Sequence, residues 1–377
     1  MQVAANLSSA QVRAHRILAS GLARIAPAAQ LPIWDLGVQD RDGSARLALA
    51  ARIDDRSGLP TIDDPAGTGG TVLAWSLRGS PHLHRRGDLQ PFAAALWPAD
   101  DADAAARLVG DAGRLQADGA DPFAAIARVS DAMRAVITAP MVKGAASAAV
   151  TAAIPAEYSG FCRGCGSVHV RELLFRLAAL PAAVGALPDT KPIVLAPLAA
   201  PFPRPIEQRG LGAVVAAYYR AYGVGTASDV GTHVGTSATC VKPALPADLV
   251  PVTVDGARSQ APAGVLGELR AADPGAAARM TRLLPPSDPL LQPRDRAVLT
   301  SDRDQQRALW PTLGPPGAVL AGGGVAGVWR TRLAGKSLTV TVVAWRRLTA
   351  AERAALDDEA QLVGAVRGAA RTTLVLS

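Results

Sequence analysis

The chain has 377 residues, 49% of them apolar and 19% charged, with a formal net charge of +7. That length accommodates two or three domains, and no apolar run reaches the roughly 20 residues that span a bilayer. Three cysteines, an odd number, argue against a disulfide framework, and the start Met1-Gln-Val-Ala-Ala-Asn lacks the basic stretch of a secretory signal, so a cytoplasmic protein is expected.

In chain order, Ser8 to Leu22 predicts a capped amphipathic helix, with Val12, Leu18 and Leu22 on its apolar side and Arg13 and Arg16 off it. Residues 35–52 follow, where Gln39 and Asp40 sit between two apolar helical runs. Gly37 and Gly43 punctuate this stretch, and Ser44 is positioned to cap the second helix. Gln39 and Asp40 are readable as turn and cap residues, or as a polar pair presented to a cleft. Residues 54–70 are rich in Asp, Gly, Pro and Thr and predict a surface loop. Residues 71–77 begin an apolar segment that runs into Arg78-Gly79-Ser80-Pro81-His82-Leu83-His84-Arg85-Arg86. The alternation there predicts a short strand, with Arg78, His82, His84, Arg85 and Arg86 as a cluster of donors suited to phosphates. A solvated hairpin with one core histidine is the other reading. Residues 88–96 look helical.

Residues 100–121 form an acidic, alanine-rich helix or linker. Helices are then expected over 122–137, over 141–153 and from Ser167 to Leu180, with a turn at Pro155 to Gly166 and a strand from Lys191 to Leu195. Three helices followed by a strand is the layout of a winged helix. The pattern recurs: helices over 209–223, 226–233 and 237–245 precede a hairpin from Leu249 with its turn at Asp255-Gly256. Helix-turn-helix units also serve as protein interaction modules. From Arg282 short β-like runs alternate with Gly/Pro turns, then a helix (349–364) and a last strand (372–376) follow. The expected fold is therefore mainly α with β wings: tandem winged-helix (helix-turn-helix) domains plus a small C-terminal β-barrel-like domain. Its divisions fall at 1–100, 101–205, 206–265 and 266–377.

Two compositional features bear on partners. Among the 39 basic residues only Lys143, Lys191, Lys242 and Lys336 are lysine. Arginine makes bidentate bonds to phosphate and to guanine edges, so a nucleic-acid partner fits, although GC-rich codon usage enriches Ala, Arg, Gly and Pro together. Second, Cys162-x2-Cys165-x3-His169 has a thiolate spacing that zinc accepts, with no fourth ligand assignable. The other reading is small residues packing the turn before a helix. No cofactor is otherwise expected. If that turn lies against DNA, Lys143, Arg163 and Arg171 are natural phosphate contacts.

Several of these stretches carry a resemblance. Tyr218-Tyr-Arg-Ala-Tyr-Gly with Thr226-Ala-Ser-Asp-Val resembles the third winged helix of the winged-helix DNA-binding family that includes the AlkZ and YcaQ bacterial DNA glycosylases. Leu283-Leu-Pro-Pro-Ser-Asp288-Pro is similar to that family's Leu-Pro-Pro-Phe-Asp-Pro signature, and Val325-Ala-Gly-Val-Trp329-Arg330 to its terminal barrel. Trp75, Arg78-Gly79 and His82 resemble its first-domain hairpin. The resemblance covers most of the chain in family order. It implies a concave basic face on double-stranded DNA, a nucleoid-associated monomer, and hydrolysis of the N-glycosidic bond of alkylated purines. The family's catalytic motif is Gln-x-Gln or Gln-x-Asp before a helix ending in Ala-Arg. Here the matching region runs from Gln39 to Arg52, and reads Gln-Asp-Arg forwards from Gln39 or Gly-Val-Gln backwards from it. One polar member is shifted or missing either way.

The chemistry suits Gln39 and Asp40 as catalytic candidates, with Arg41 beside them for DNA. A carboxylate activates water and balances the charge of an oxocarbenium-like sugar, and an amide holds the water by donating and accepting. A catalytically silent DNA-binding or regulatory protein using the same face is the alternative.

Overall fold

The computed structural model describes residues 5–54 and 58–377. Of the loop expected over 54–70, residues 55–57 lie outside that range. The chain forms two compact units, each discontinuous in sequence: Met1–Pro60 with Ala216–Asp229 and Pro246–Ser377, and Thr61–Val215 with Val230–Leu245. The architecture is mixed α/β rather than mainly α.

In the first unit, Ser8 and Gln11 form a reciprocal capping box on the helix Ser9–Ala19. The strand Ala5–Leu7 runs parallel to Leu249–Val254, which pairs antiparallel with Ala257–Pro262. The connecting Asp255 and Gly256 both take positive φ, 47° and 84°, as a tight hairpin turn demands. Leu7 and Val12 pack with Val252, Val265 and Leu269 beneath this sheet. The helix ends at Ala19 rather than reaching Leu22, Leu18 is only half-buried, and one basic residue departs from the expected amphipathic pattern. Arg16, expected off the apolar side, is fully buried, because its guanidinium finds Asp295 (2.9 and 2.6 Å) and the Tyr222 carbonyl (2.9 Å).

The C-terminal part of this unit corrects the barrel expectation. Its five strands, Arg282–Leu284, Gly317–Ala321, Gly324–Ala334, Ser337–Ala344 and Arg371–Leu376, form a sheet in linear order and do not close. The last pair is parallel. A parallel pair needs a crossover, and the helix Ala350–Val366 supplies it. That helix lays Leu356, Ala360 and Val363 on the apolar sheet residues Leu338, Val340 and Val342. Covering the face with a helix does the work that closure would otherwise do.

In the second unit, Thr71–Trp75 and Pro81–Arg85 form the expected hairpin, with Ala74 opposite His82 and Val72 opposite His84. Thr71–Trp75 also pairs with Val184–Ala186, that strand with Val194–Pro197, and Val194–Pro197 with Met141–Val142. The acidic stretch over 100–121 resolves into the helices Asp101–Leu108 and Ala112–Ala117. These pack with Pro122–Val136, Lys143–Ala152 and Glu172–Ala179 around a core that includes Trp75, Trp97, Val129, Met133 and Phe175. The third expected helix begins late. Ser167–Val170 is a strand paired with Ser159–Cys162, and helix starts only at Glu172. β-Branched and alternating residues at 167–170 favour the strand, and the Gly164-Cys165-Gly166 turn lets it fold back.

Candidate active site

The stretch from Pro32 is built from short pieces. A 3-10 turn over Pro32–Leu36 ends at Gly37, whose φ is 71°. Val38–Gln39 is extended, and the helix Ser44–Ala50 follows. Asp40 straddles the start of that helix. One carboxylate oxygen accepts the Ala45 N–H (2.9 Å) and the other the Gly43 N–H (3.2 Å). Gly43 holds the N-cap position without a side chain to cap it, so Asp40 satisfies these amides from upstream, and Ser44, expected to cap, is the first helical residue and instead accepts the Arg41 N–H at 2.7 Å and donates to the Gln39 carbonyl. The turn is braced from the other end of the chain: Arg367, just after the last helix, donates to the Asp42 carbonyl at 2.6 Å.

Burial pushes the Asp40 carboxyl above its ordinary value, and this outweighs the lowering by the Ala45 and Gly43 amides and by the Arg367 charge. A carboxylate so placed is more basic than an exposed aspartate. Gln39 is half-buried beside it. The regular helix, on which neighbours would diverge by about 100°, is absent at this point, so the pair stands at the junction of an extended segment and a loop. Arg41 is exposed. Sequence reasoning missed Arg367, because a contact across 325 residues leaves no local trace.

Two other motif residues turn out to hold this region together. Arg52, at the end of the same helical stretch, is fully buried and grips Asp288 through both guanidinium nitrogens at 2.8 Å. It also donates to the carbonyls of Ser20 (2.8 Å) and Ala48 (2.7 Å). Asp288 accepts the Leu290 N–H in addition. The Ala-Arg and Leu-Pro-Pro-Ser-Asp-Pro stretches are therefore two halves of one buried clamp.

The hairpin donors mostly have protein partners. His82 and His84 are buried, which corrects their expected place on a phosphate-facing surface. Both strand faces at this point are covered, so His82 and His84 on one face are as buried as Leu83 on the other. The His82 ring meets the Ser80 carbonyl (2.9 Å), and burial with the nearby Arg78 charge holds it well below its ordinary value. His84 shares a hydrogen bond with the Ser76 hydroxyl (2.9 Å), packs on Phe92, and is pushed by burial down to about 3. Arg78 donates to the His233 carbonyl. Arg85 pairs with Asp88 at 2.6 Å. Arg86 ties down the loop through the carbonyls of Gly69, Pro65 and Asp64.

Lys143 pairs with Glu172 (2.7 Å) and Arg171 with Asp118 (2.5 Å), whereas Arg163 is exposed at the tip of the Ser159–Val170 hairpin. Of the expected DNA contacts, Arg41 and Arg163 thus present themselves most openly to solvent. Cys162, Cys165 and His169 come together on the same hairpin, their ligand atoms within 4.8 Å of one another. No helix among the described residues is long and apolar enough to cross a membrane.

These features define a mixed α/β protein with a capped, partly buried polar turn anchored by a buried Arg–Asp clamp. The sequence pattern of the AlkZ-like DNA glycosylases matches residues 34–366, and the chain belongs to that family. Among solved structures, the Streptomyces sahachiroi DNA glycosylase AlkZ is similar with a TM-score of 0.71 at 20% sequence identity, covering 99% of this chain and 100% of that one. At that identity the likeness is one of fold. A comparison with curated protein sequences gave no match.

Proposed function

We propose that this protein is a DNA repair glycosylase that hydrolyses the N-glycosidic bond of alkylated purines in duplex DNA, acting as a cytoplasmic monomer through tandem winged-helix units. The observation that carries the reading is the family match over residues 34–366, within which Gln39 and Asp40 occupy a partly buried stretch before the helix Ser44–Ala50, which Ala51-Arg52 directly follow. An N7-alkylated purine already carries positive charge and leaves readily, so the protein must mainly place a water and balance an oxocarbenium-like sugar. Asp40, made more basic by burial, is the acceptor for the water's proton and the counter-charge to the sugar. Gln39 orients the water through its amide. Arg41 and Arg163, both exposed, are offered to phosphates.

A second reading is a catalytically silent DNA-binding protein using the same surface. It is favoured by one observation: both Asp40 oxygens already accept backbone N–H groups, as a purely structural cap would. The test is incubation with N7-alkylated duplex followed by alkaline cleavage of abasic sites. Strand breaks are expected, reduced by about 10²–10⁴-fold in Asp40→Asn, the range for a lost general base. Breaks no more frequent with the wild type than with Asp40→Asn would reject the enzyme. Binding to undamaged duplex that does not weaken with salt would reject both readings.

A further inference from the structure

The hairpin Ser159–Cys162/Ser167–Val170 carries a cluster of two thiols and an imidazole that the glycosylase reading does not use. In an antiparallel pair, alternate residues share a face. Phe161 lies opposite Val168 and Ser159 opposite Val170, while Gly160 lies opposite His169 and Cys162 opposite Ser167. Cys162 and His169 are therefore diagonal neighbours on one face, within reach of each other. Their ligand atoms lie within 4.8 Å of each other.

The turn completes the set. Gly166 N–H returns to the Cys162 carbonyl at 2.9 Å, and Gly166 takes a positive φ of 64°, which folds Cys165 back beside Cys162. On the other side, His169 Nδ1 lies 2.7 Å from the Val170 carbonyl. Donating there fixes the proton on Nδ1 and leaves the Nε2 lone pair for a ligand, the usual orienting arrangement for a metal-bound imidazole. The folded-back turn and the oriented imidazole are two separate observations, and both prepare these atoms for a cation.

We propose that Cys162, Cys165 and His169 bind a single zinc ion that clamps this hairpin, with water in the fourth position. The three ligand atoms lie within 4.8 Å of one another. Tetrahedral zinc with bonds of about 2.0–2.3 Å holds its ligands roughly 3.5–3.8 Å apart, so small side-chain rotations close the set. Two thiolates with one imidazole favour zinc over hard cations such as magnesium or calcium. Two thiol protons leave as the metal enters, and two thiolates then neutralise the ion's charge.

The clamp has a structural purpose. A two-stranded hairpin by itself is marginally stable, and this one exposes Phe161 and Val168 rather than burying them. Zinc would hold its tip rigid and fix the direction of Arg163, which lies between the two cysteines.

The test is elemental analysis of full-length protein purified under reducing conditions without chelator. A single zinc per chain is expected, lost in Cys162→Ser and Cys165→Ser and weakened more than about tenfold in His169→Ala. Cys240→Ser should keep it. Because a serine variant can fail to fold, cobalt substitution of the wild type provides a second reading: an intense tetrahedral spectrum with thiolate-to-cobalt charge transfer is expected. Zinc should also slow modification of both cysteines by a thiol reagent. Protein that carries no zinc and gives no cobalt–thiolate spectrum, or that contains a Cys162–Cys165 disulfide instead, overturns the site.

Discussion

The buried Arg52–Asp288 pair shows how a motif residue can be structural. Each partner is withdrawn completely from water, which costs several kcal/mol per ion and is offset only by good geometry and by filling the remaining donors. The Ser20 and Ala48 carbonyls do that for Arg52, and the Leu290 amide for Asp288. Asp288→Ala would leave the guanidinium buried with no counter-charge, so a loss of about 3–5 kcal/mol is expected, read as a lower denaturation midpoint. A variant with an unchanged midpoint would show that water or another carboxylate replaces Asp288. The residue types here were legible in the sequence and their pairing was not. Arg52 and Asp288 are 236 positions apart, and nothing local distinguishes a buried arginine from an exposed one. The same holds for Arg16, whose helical position alone predicted solvent.

Elements were the most legible level. The cap at Ser8, the helices over 122–136 and 211–222, and the Asp255-Gly256 hairpin all follow from local chemistry that the sequence states directly. Failures came where periodicity was ambiguous, as at 167–170, a strand that reads as the start of a helix, or where pairing was non-local, as in the C-terminal sheet. That sheet depends on a close approach. Gly317 lies opposite Trp329, and the indole N–H crosses to the Leu284 carbonyl at 2.8 Å. A Cβ at Gly317 would collide with the indole and with that carbonyl. Gly317→Ala is therefore expected to cost about 1–3 kcal/mol and to shift the Trp329 fluorescence, since the indole must move. Wild-type stability with an unaltered spectrum would mean that the strands separate without cost.

For the molecule as a whole, buried histidines set the response to acid. His84 and His233 are held neutral by burial down to about 3, and His82 well below its ordinary value. Unfolded, each takes up a proton near 6.5. Below that pH the unfolded chain binds more protons than the folded one, so stability is full above about 6.5 and falls as pH drops towards 3. Each histidine contributes a slope of up to about 1.4 kcal/mol per pH unit in that window. Denaturation midpoints at pH 7 and pH 5 measure this, and His84→Gln should flatten the dependence. A wild-type midpoint that is the same at both values would contradict the burial of these rings.

By itself, the sequence determined the local elements, the family resemblance and the residues worth testing, because caps, turn residues and short motifs act within a few positions of one another. Only the tertiary structure decided which charges are spent on the protein. It turned His82 and His84 inward, gave Arg78, Arg85, Arg86, Lys143 and Arg171 internal partners, and showed the half-buried Asp40 carboxylate holding the amides at the start of the next helix. Burial and pairing are properties of neighbours in space, and those neighbours come from elsewhere in the chain.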